Sequence, residues 1–249
     1  MICALMIGRA GSTGFPGKNV HKVLGRPLCA YPLMAASAST EVDRIFVSTD
    51  SEEIKKIATH FNAEFIHRPA ELATSATLSD DVFVHAYGEM KRLLEGEGKS
   101  IELLVLLFAN AATLHSGYID QGIKMLRDDS SLDGAATTSV YNMYSPLRAR
   151  KLDKSGRLQP FVPLEAIGDV STFNTSRDSQ GDVYYTDGSA TVIRPNCLEN
   201  LQDGLLPHRW MGRNIGSIPS WGGCDVDFEW QVPMVEFWLR KHGFEEGEI

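Results

Sequence analysis

Two groups of residues, far apart in the chain, have the types and spacing to handle a phosphate ester. The first occupies residues 8–19, where Gly8, Gly11, Gly14 and Gly17 are interspersed with Arg9, Pro16, Lys18 and Asn19. Glycine lets the backbone approach an anion closely. The amides of such a loop, those of Gly8, Ala10 and Gly11 among them, can donate to phosphate oxygens while Arg9 and Lys18 offset the negative charge. The second group is Asp225 and Asp227, preceded by Gly222 and Gly223. Carboxylates two positions apart point to the same side of an extended segment. Together they can hold hard, oxygen-seeking Mg²⁺ against a polyphosphate. The plainer readings are a flexible loop without chemistry for the first group and a polar turn that caps the next helix for the second.

The elements that must position these groups are legible around them. Cys3–Ile7 is an apolar run too short for a helix and suited to a buried parallel strand. It empties directly into the glycine-rich loop, the place where open α/β sheets bind ligands. The loop is not a P-loop, because Gly17-Lys18 is followed by Asn19 rather than the hydroxyl that would hold magnesium, and its glycines are not spaced as GxGxxG.

Further along, the spacing predicts a helix beginning near Pro32, a strand at Val42–Val47, and a helix over Glu52–Asn62 with Ile54, Ile57, Ala58 and Phe61 on its apolar face. Asp50 or Ser51 can cap that helix, and a cap is the preferred reading of Asp50. Glu64–His67 reads as a short strand, Asp80 onward as a helix, and Ile101–Phe108 as the strongest strand of the chain, ending in the small-residue loop at Ala109–Thr113. A helix near 116–127 and a strand at Gly134–Val140 follow. The alternation predicts a doubly wound, mostly parallel α/β sheet with its loops gathered along one edge. From Tyr141 to Thr175 prolines and glycines break the pattern, predicting an irregular insertion after residue 140, within 141–189, that serves as a substrate lid or a subunit contact. Asp187-Gly188 reads as a turn into a strand at Ala190–Ile193, and Glu229–Lys241 as an amphipathic helix. One domain over 1–249 is the economical organisation.

The chain has 249 residues, 43% of them hydrophobic and 22% charged, as expected of a soluble globular protein. Its net charge of −8 argues against nucleic acid as a partner and requires any polyanionic substrate to be met by local cations. Cys3, Cys29, Cys197 and Cys224 show no CxxC pair and read as reduced thiols. With no leader before Cys3 and no apolar run of membrane-spanning length, the expected setting is cytoplasmic, without membrane attachment. His67 and His85 read as structural, since neither has a second ligand at metal spacing. Trp210, Trp221 and Trp230 read as core or interface. Arg148, Arg177 and Lys151 are candidates for holding an acidic group, the arginines preferred for their bidentate geometry. Asn110 and Asp187 join the two arginines as acceptor-side candidates.

Taken in series, these loops resemble the nucleotide-sugar cytidylyltransferases, especially the acylneuraminate cytidylyltransferases. Arg9 through Lys18-Asn19, Val47-Ser-Thr-Asp-Ser51, Arg68-Pro-Ala-Glu-Leu-Ala73 with Ser79 downstream, Arg177 through Asp187-Gly188, and Asp225-Val-Asp227 are similar, in order, to that family's motifs. The resemblance implies a Rossmann-like fold and a homodimer in which the section after residue 140 contributes to the partner's site. It implies a reaction of CTP with an acidic acceptor, a sialic-acid-like 2-keto sugar acid, releasing pyrophosphate. Arg9 and Lys18 would contact the triphosphate, Asn19, Arg68 and Ser79 would hold the nucleotide, and Asp225 and Asp227 would bind Mg²⁺, with Asp227 also a candidate proton acceptor. The chain departs from the family pattern at Thr13, usually a lysine, at Phe108, where a glutamine is associated with sugar choice, at Leu114, usually an arginine, and at Asp187, usually an asparagine. These departures keep two other readings open: transfer to a small phosphonate or other non-sugar acid, and a nucleotide-binding regulator without turnover.

Overall fold

The computed structural model describes residues 1–178 and 180–249. In chain order the strands are β1 (Ile2–Ile7), β2 (Lys22–Val23), β3 (Arg26–Pro27), β4 (Arg44–Thr49), β5 (Glu64–His67), β6 (Leu103–Phe108), β7 (Gly134–Val140), β8 (Arg150–Leu152), β9 (Leu158–Pro160), β10 (Tyr184–Ile193) and β11 (Ile215–Pro219). The helices are α1 (Ala30–Ala38), α2 (Glu52–Thr59), α3 (Ser79–Gly96), α4 (Ser116–Asp128), α5 (Asn196–Glu199) and α6 (Val232–Lys241). Seven strands form one sheet in the order β11-β7-β10-β6-β1-β4-β5, all parallel except β10, which runs antiparallel to both β6 and β7. The fold is Rossmann-like, as the sequence predicts.

Why β1 and β6 are apolar throughout follows from their central position. Ile2, Ala4 and Met6 of β1 join Leu103, Val105 and Leu107 of β6 in one core layer beneath α1, α2 and α4. Cys3, Leu5 and Ile7 join Leu104 and Leu106 in the opposite layer, against Val82, Phe83, Ala86 and Met90 of α3. A strand covered on both faces has no solvent side, so the two-residue alternation sorts apolar residues into two cores rather than separating apolar from polar.

From β1 the chain steps outward through β4 to β5, then returns to place β6 on the other side of β1. The carboxyl ends of β1 and β6 therefore flank the switch point of the sheet, where a crevice opens. Gly8 and Ala109, the residues after these two strands, lie so close that a methyl group on Gly8 would stand 2.6 Å from Ala109 Cβ. Gly8 is thus a packing requirement of this junction. A third core, with Tyr31, Trp238 and Leu239, packs α6 onto α1 and the β2–β3 hairpin and brings the carboxyl end of the chain back to the amino-terminal loop.

Two local expectations change. Helix α2 is capped by Ser51, whose side chain accepts from the Ile54 amide, while Asp50 reaches across to accept from the Ala10 amide at 2.9 Å. Asp187-Gly188 is not a turn before a strand but a bulge inside the longer β10. Register shifts between Thr186, opposite Thr138, and Thr191, opposite Ala136, and Gly188 takes φ +74°, where a side chain would be strained. Between β7 and β10 the chain leaves the sheet for short 3₁₀ turns and the β8–β9 hairpin. Among the described residues no helix is long and apolar enough to cross a membrane.

Candidate active site

The two phosphate-handling groups meet. Lys18, from the amino-terminal loop, places Nζ 2.6 Å from Oδ1 of Asp227, more than two hundred residues later. Gly14 approaches the same segment so closely that a Cβ there would lie 2.8 Å from the Asp227 carbonyl oxygen. Asp227 is held by its backbone: its amide and that of Phe228 both donate to Gln231 Oε1 at 2.7 Å. That arrangement fixes the aspartate ahead of α6 and leaves its carboxylate exposed.

Asp225 is more enclosed. Asn110, from the loop after β6, donates to Asp225 Oδ2 at 3.2 Å and to the Val226 carbonyl at 3.0 Å, and accepts from the Val226 amide at 3.0 Å. Burial is the main cause of a raised carboxyl pKa at Asp225; the charge of Asp227 adds to it, and Lys18 opposes it. Asn110 therefore positions the aspartate loop rather than standing free in a pocket. Asn110→Ala is expected to lower kcat about tenfold with little change in KM for CTP, as the loss of its two positioning side-chain hydrogen bonds predicts. Steady-state kinetics against CTP would check it, and an unchanged kcat would remove this role.

Beside the amino-terminal loop is a cavity of about 180 Å³ whose lining includes Arg9, Lys18, Asn19 and Arg68, together with Ser79, Phe108 and Asn110. Arg68 is 3% exposed. Its guanidinium donates to the Ser48 carbonyl at 2.7 Å and to Ser48 Oγ at 3.4 Å. Burial pulls its pKa down to about 10, with Asp50 opposing and Arg9 adding to the shift, so it remains a cation at neutral pH. Asn19, also buried, donates to the Arg9 carbonyl at 3.0 Å and holds the loop against the sheet. Of the loop amides, that of Gly8 donates to Ser48 and that of Ala10 to Asp50. Gly11 is exposed and does not line the cavity.

Ser79 and Phe108 are shared with a second, larger cavity of about 530 Å³. Asp187, Asp225, Tyr141, Tyr185, Trp210 and Trp230 are among the residues around it. Asp187 is buried and held by donors on every side: Thr137 Oγ1 at 2.5 Å, Ser139 Oγ at 3.0 Å, the Ser189 amide at 3.1 Å, and the Ser220 hydroxyl. Such a cage stabilises a buried carboxylate and locks the β10 bulge beside the aspartate loop. Gly223 packs directly against it, where a Cβ would fall 2.4 Å from Asp187 Oδ2.

Arg148 and Arg177 are not brought to either cavity. They line a separate one in the 141–183 section, where Arg148 donates to the Thr175 carbonyl at 2.9 Å and Arg177 pairs with Asp178 at 2.8 Å. Within one chain they do not reach Asp225. Sequence reasoning read Asp50 as a helix cap rather than as a partner of the amino-terminal loop, and did not single out Gln231 or the tyrosines around the larger cavity. The tyrosines lie at both ends of the irregular section, where no periodicity marks them. Trp210 is core, as expected, yet also walls the larger cavity and donates to Ser79 Oγ at 3.2 Å; Trp221 and Trp230 are exposed.

A family model described as "Cytidylyltransferase" matches residues 3–146, which hold the amino-terminal loop, Arg68, Ser79 and Asn110. The chain belongs to the cytidylyltransferase family. Among curated cytidylyltransferases it is 30% identical over 246 residues to the N-acylneuraminate cytidylyltransferase of Oncorhynchus mykiss, covering 98% of this chain and 51% of that protein. It is 39% identical over 85 residues to that of Escherichia coli, covering 34% of this chain and 20% of the relative. The chain thus spans about half the length of the first of these relatives and less of the second. The likeness to acylneuraminate cytidylyltransferases carried by the loop motifs is borne out. Among solved structures it is similar to a CMP:2-keto-3-deoxy-manno-octonic acid synthetase complexed with CTP, with a TM-score of 0.66 at 15% identity over 97% of this chain and 99% of the other, a likeness of fold.

Both aspartates offer hard oxygen donors. Among the described residues no cluster of three or more His, Cys, Asp or Glu is placed to hold a metal by itself. Two carboxylates two positions apart, one of them paired with Lys18 from the wall of the smaller cavity, could hold Mg²⁺, which binds through one or two carboxylates and completes its shell with phosphate oxygens and water.

Proposed function

We propose that this protein is a CTP-dependent cytidylyltransferase that joins CMP to a sialic-acid-like 2-keto sugar acid with release of pyrophosphate. The observation that carries the reading is the meeting of Lys18, from the wall of the cationic cavity, with Asp227, two residues after the Asp225 that lines the larger cavity. The smaller cavity, with Arg9, Lys18 and Arg68, takes the triphosphate end of the nucleotide, and the larger takes the acceptor. The acceptor hydroxyl oxygen attacks the α-phosphorus. A new P–O bond forms, the bond to the bridging oxygen of the β-phosphate breaks, and pyrophosphate leaves with that electron pair. The hydroxyl proton passes to a base, a role for which the exposed Asp227 carboxylate is the candidate. Because negative charge concentrates on the phosphate oxygens, Lys18 and Arg9 act by position and charge.

Asp225 and Asp227 would hold Mg²⁺, which when bound supplies positive charge against the same phosphate oxygens. The like charges of the two carboxylates, one of them in a buried setting, support a cation between them. We take 1–249 as one domain whose section 141–189 meets a second copy; exposed Met143, Leu152, Leu158 and Phe161 support that contact. A monomeric mass by light scattering would remove it.

The transferase reading is tested by mixing the full chain with CTP, Mg²⁺ and a panel of 2-keto sugar acids and simple phosphonates and measuring pyrophosphate. Release with a keto sugar acid supports it. CTP binding without release from any acid would assign the chain to nucleotide sensing instead.

A further inference from the structure

Asp50 does something the start of α2 does not require, an inference that rests on the transferase reading above. Ser51 caps that helix, while Asp50 Oδ1 accepts from the Ala10 amide at 2.9 Å. The residues on either side of Asp50 are fixed. Thr49 is buried at the end of β4, and its Oγ1 accepts from the Ser51 amide at 3.0 Å. The carboxylate is therefore carried by a strand–helix junction rather than by a free loop.

The amino-terminal loop gains a fixed point from it. Its first residues are tied one by one: the Gly8 amide donates to the Ser48 carbonyl at 3.2 Å, the Arg9 carbonyl accepts from Asn19 at 3.0 Å, and the Ala10 amide goes to Asp50. Among the described residues no hydrogen bond engages the backbone of 11–14. The next tie comes at Phe15, whose carbonyl accepts from the Lys18 amide at 3.2 Å. Gly8 and Arg9 line the smaller cavity and Gly11 does not, so Ala10 is where the loop leaves it. Arg9 lies against the first untied residue, its Nη1 3.4 Å from where a Cβ on Gly11 would stand. The charge of Asp50 also works against the lowering of the Arg68 pKa, which places it within electrostatic reach of a second cation of that cavity.

We infer that Asp50 is a positioning residue for nucleotide binding, a tether at Ala10 that keeps Arg9 in the wall of the smaller cavity and gives the untied amides a fixed start. The tether acts through its hydrogen bond. Its charge works the other way, since a carboxylate near a triphosphate repels it.

Two substitutions separate the bond from the charge. Asp50→Ala removes the acceptor, and Asp50→Asn keeps an acceptor oxygen without the charge. Asp50 is exposed and does not cap α2, so neither change disturbs the core. By calorimetry on the full chain with Mg²⁺, the alanine variant is expected to bind CTP about five- to tenfold more weakly. The asparagine variant is expected to stay within about threefold of the native chain or to bind more tightly. Affinity unchanged or raised in Asp50→Ala, or Asp50→Asn as weak as Asp50→Ala, would overturn the inference. A second measurement needs no nucleotide. Hydrogen exchange at the Ala10 amide, followed by NMR, is expected to be at least about fivefold faster in Asp50→Ala and little changed in Asp50→Asn. Should the native chain bind no CTP, the transferase reading itself fails. The exchange rates still decide the tether, and equal rates in all three proteins overturn it.

Discussion

Asp227→Ala is expected to cut pyrophosphate release at least about 1000-fold while leaving the fold in place. The figure corresponds to losing several kcal/mol of charge stabilisation at the transferred phosphorus. The fold is expected to survive because the Asp227 carboxylate is 57% exposed and its side-chain partner is Lys18, whereas the loop is held through backbone bonds to Gln231. Removing a carboxylate next to a triphosphate also relieves repulsion and frees Lys18. CTP affinity measured without added metal should therefore hold or rise while kcat collapses. Asp227→Asn, which keeps the shape and loses the charge, should behave like the alanine variant. Retained turnover in either would take Asp227 out of the reaction.

Arg68→Ala is expected to weaken CTP binding about 10- to 100-fold, the range for a charge-assisted hydrogen bond lost from an enclosed site. Arg68 is the most buried of the cations lining the smaller cavity and stays charged at neutral pH despite its lowered pKa. The same substitution leaves the Ser48 carbonyl without its guanidinium partner, so the melting temperature should fall as well. Arg68→Lys separates the two effects. It keeps the charge but not the fork, and is expected to restore part of the affinity and little of the bracing. Calorimetry with CTP and a thermal melt on all three proteins would check this. CTP affinity unchanged in the alanine variant would show that Arg68 only braces the ends of β4 and β5.

The parts of this molecule that could be read in advance are those where local pattern and global role agree. β1 and β6 are apolar at every position because both faces are covered, and the glycine-rich loop follows β1 at the switch point where ligand loops gather. Asp225 and Asp227 were legible because carboxylates after paired glycines at the head of a helix are a local pattern. What brings Lys18 to them is the packing of α6 onto α1 through Tyr31 and Trp238, a tertiary fact no spacing reveals.

β10 misled in the opposite way. Asp187-Gly188 has the composition of a turn, but a bulge uses the same left-handed glycine inside a continuous strand. Strand β11, with Gly216 and Pro219, lacks the apolar alternation that marks a strand, because it sits at the sheet edge. Arg148 and Arg177 were attractive as lone cations in a section of unknown path. The structure shows both engaged with their own section, away from the aspartates. The acceptor side was the least legible, since its tyrosines come from two ends of an irregular segment and converge only when β10 returns to the sheet.

The most direct test of the central claim is a crystal structure of the protein with CTP and Mg²⁺. The triphosphate is expected along Arg9, Lys18 and Arg68, with the metal between its oxygens and the carboxylates of Asp225 and Asp227, and the larger cavity open to the α-phosphorus. A nucleotide bound elsewhere, or a metal remote from both aspartates, would contradict it.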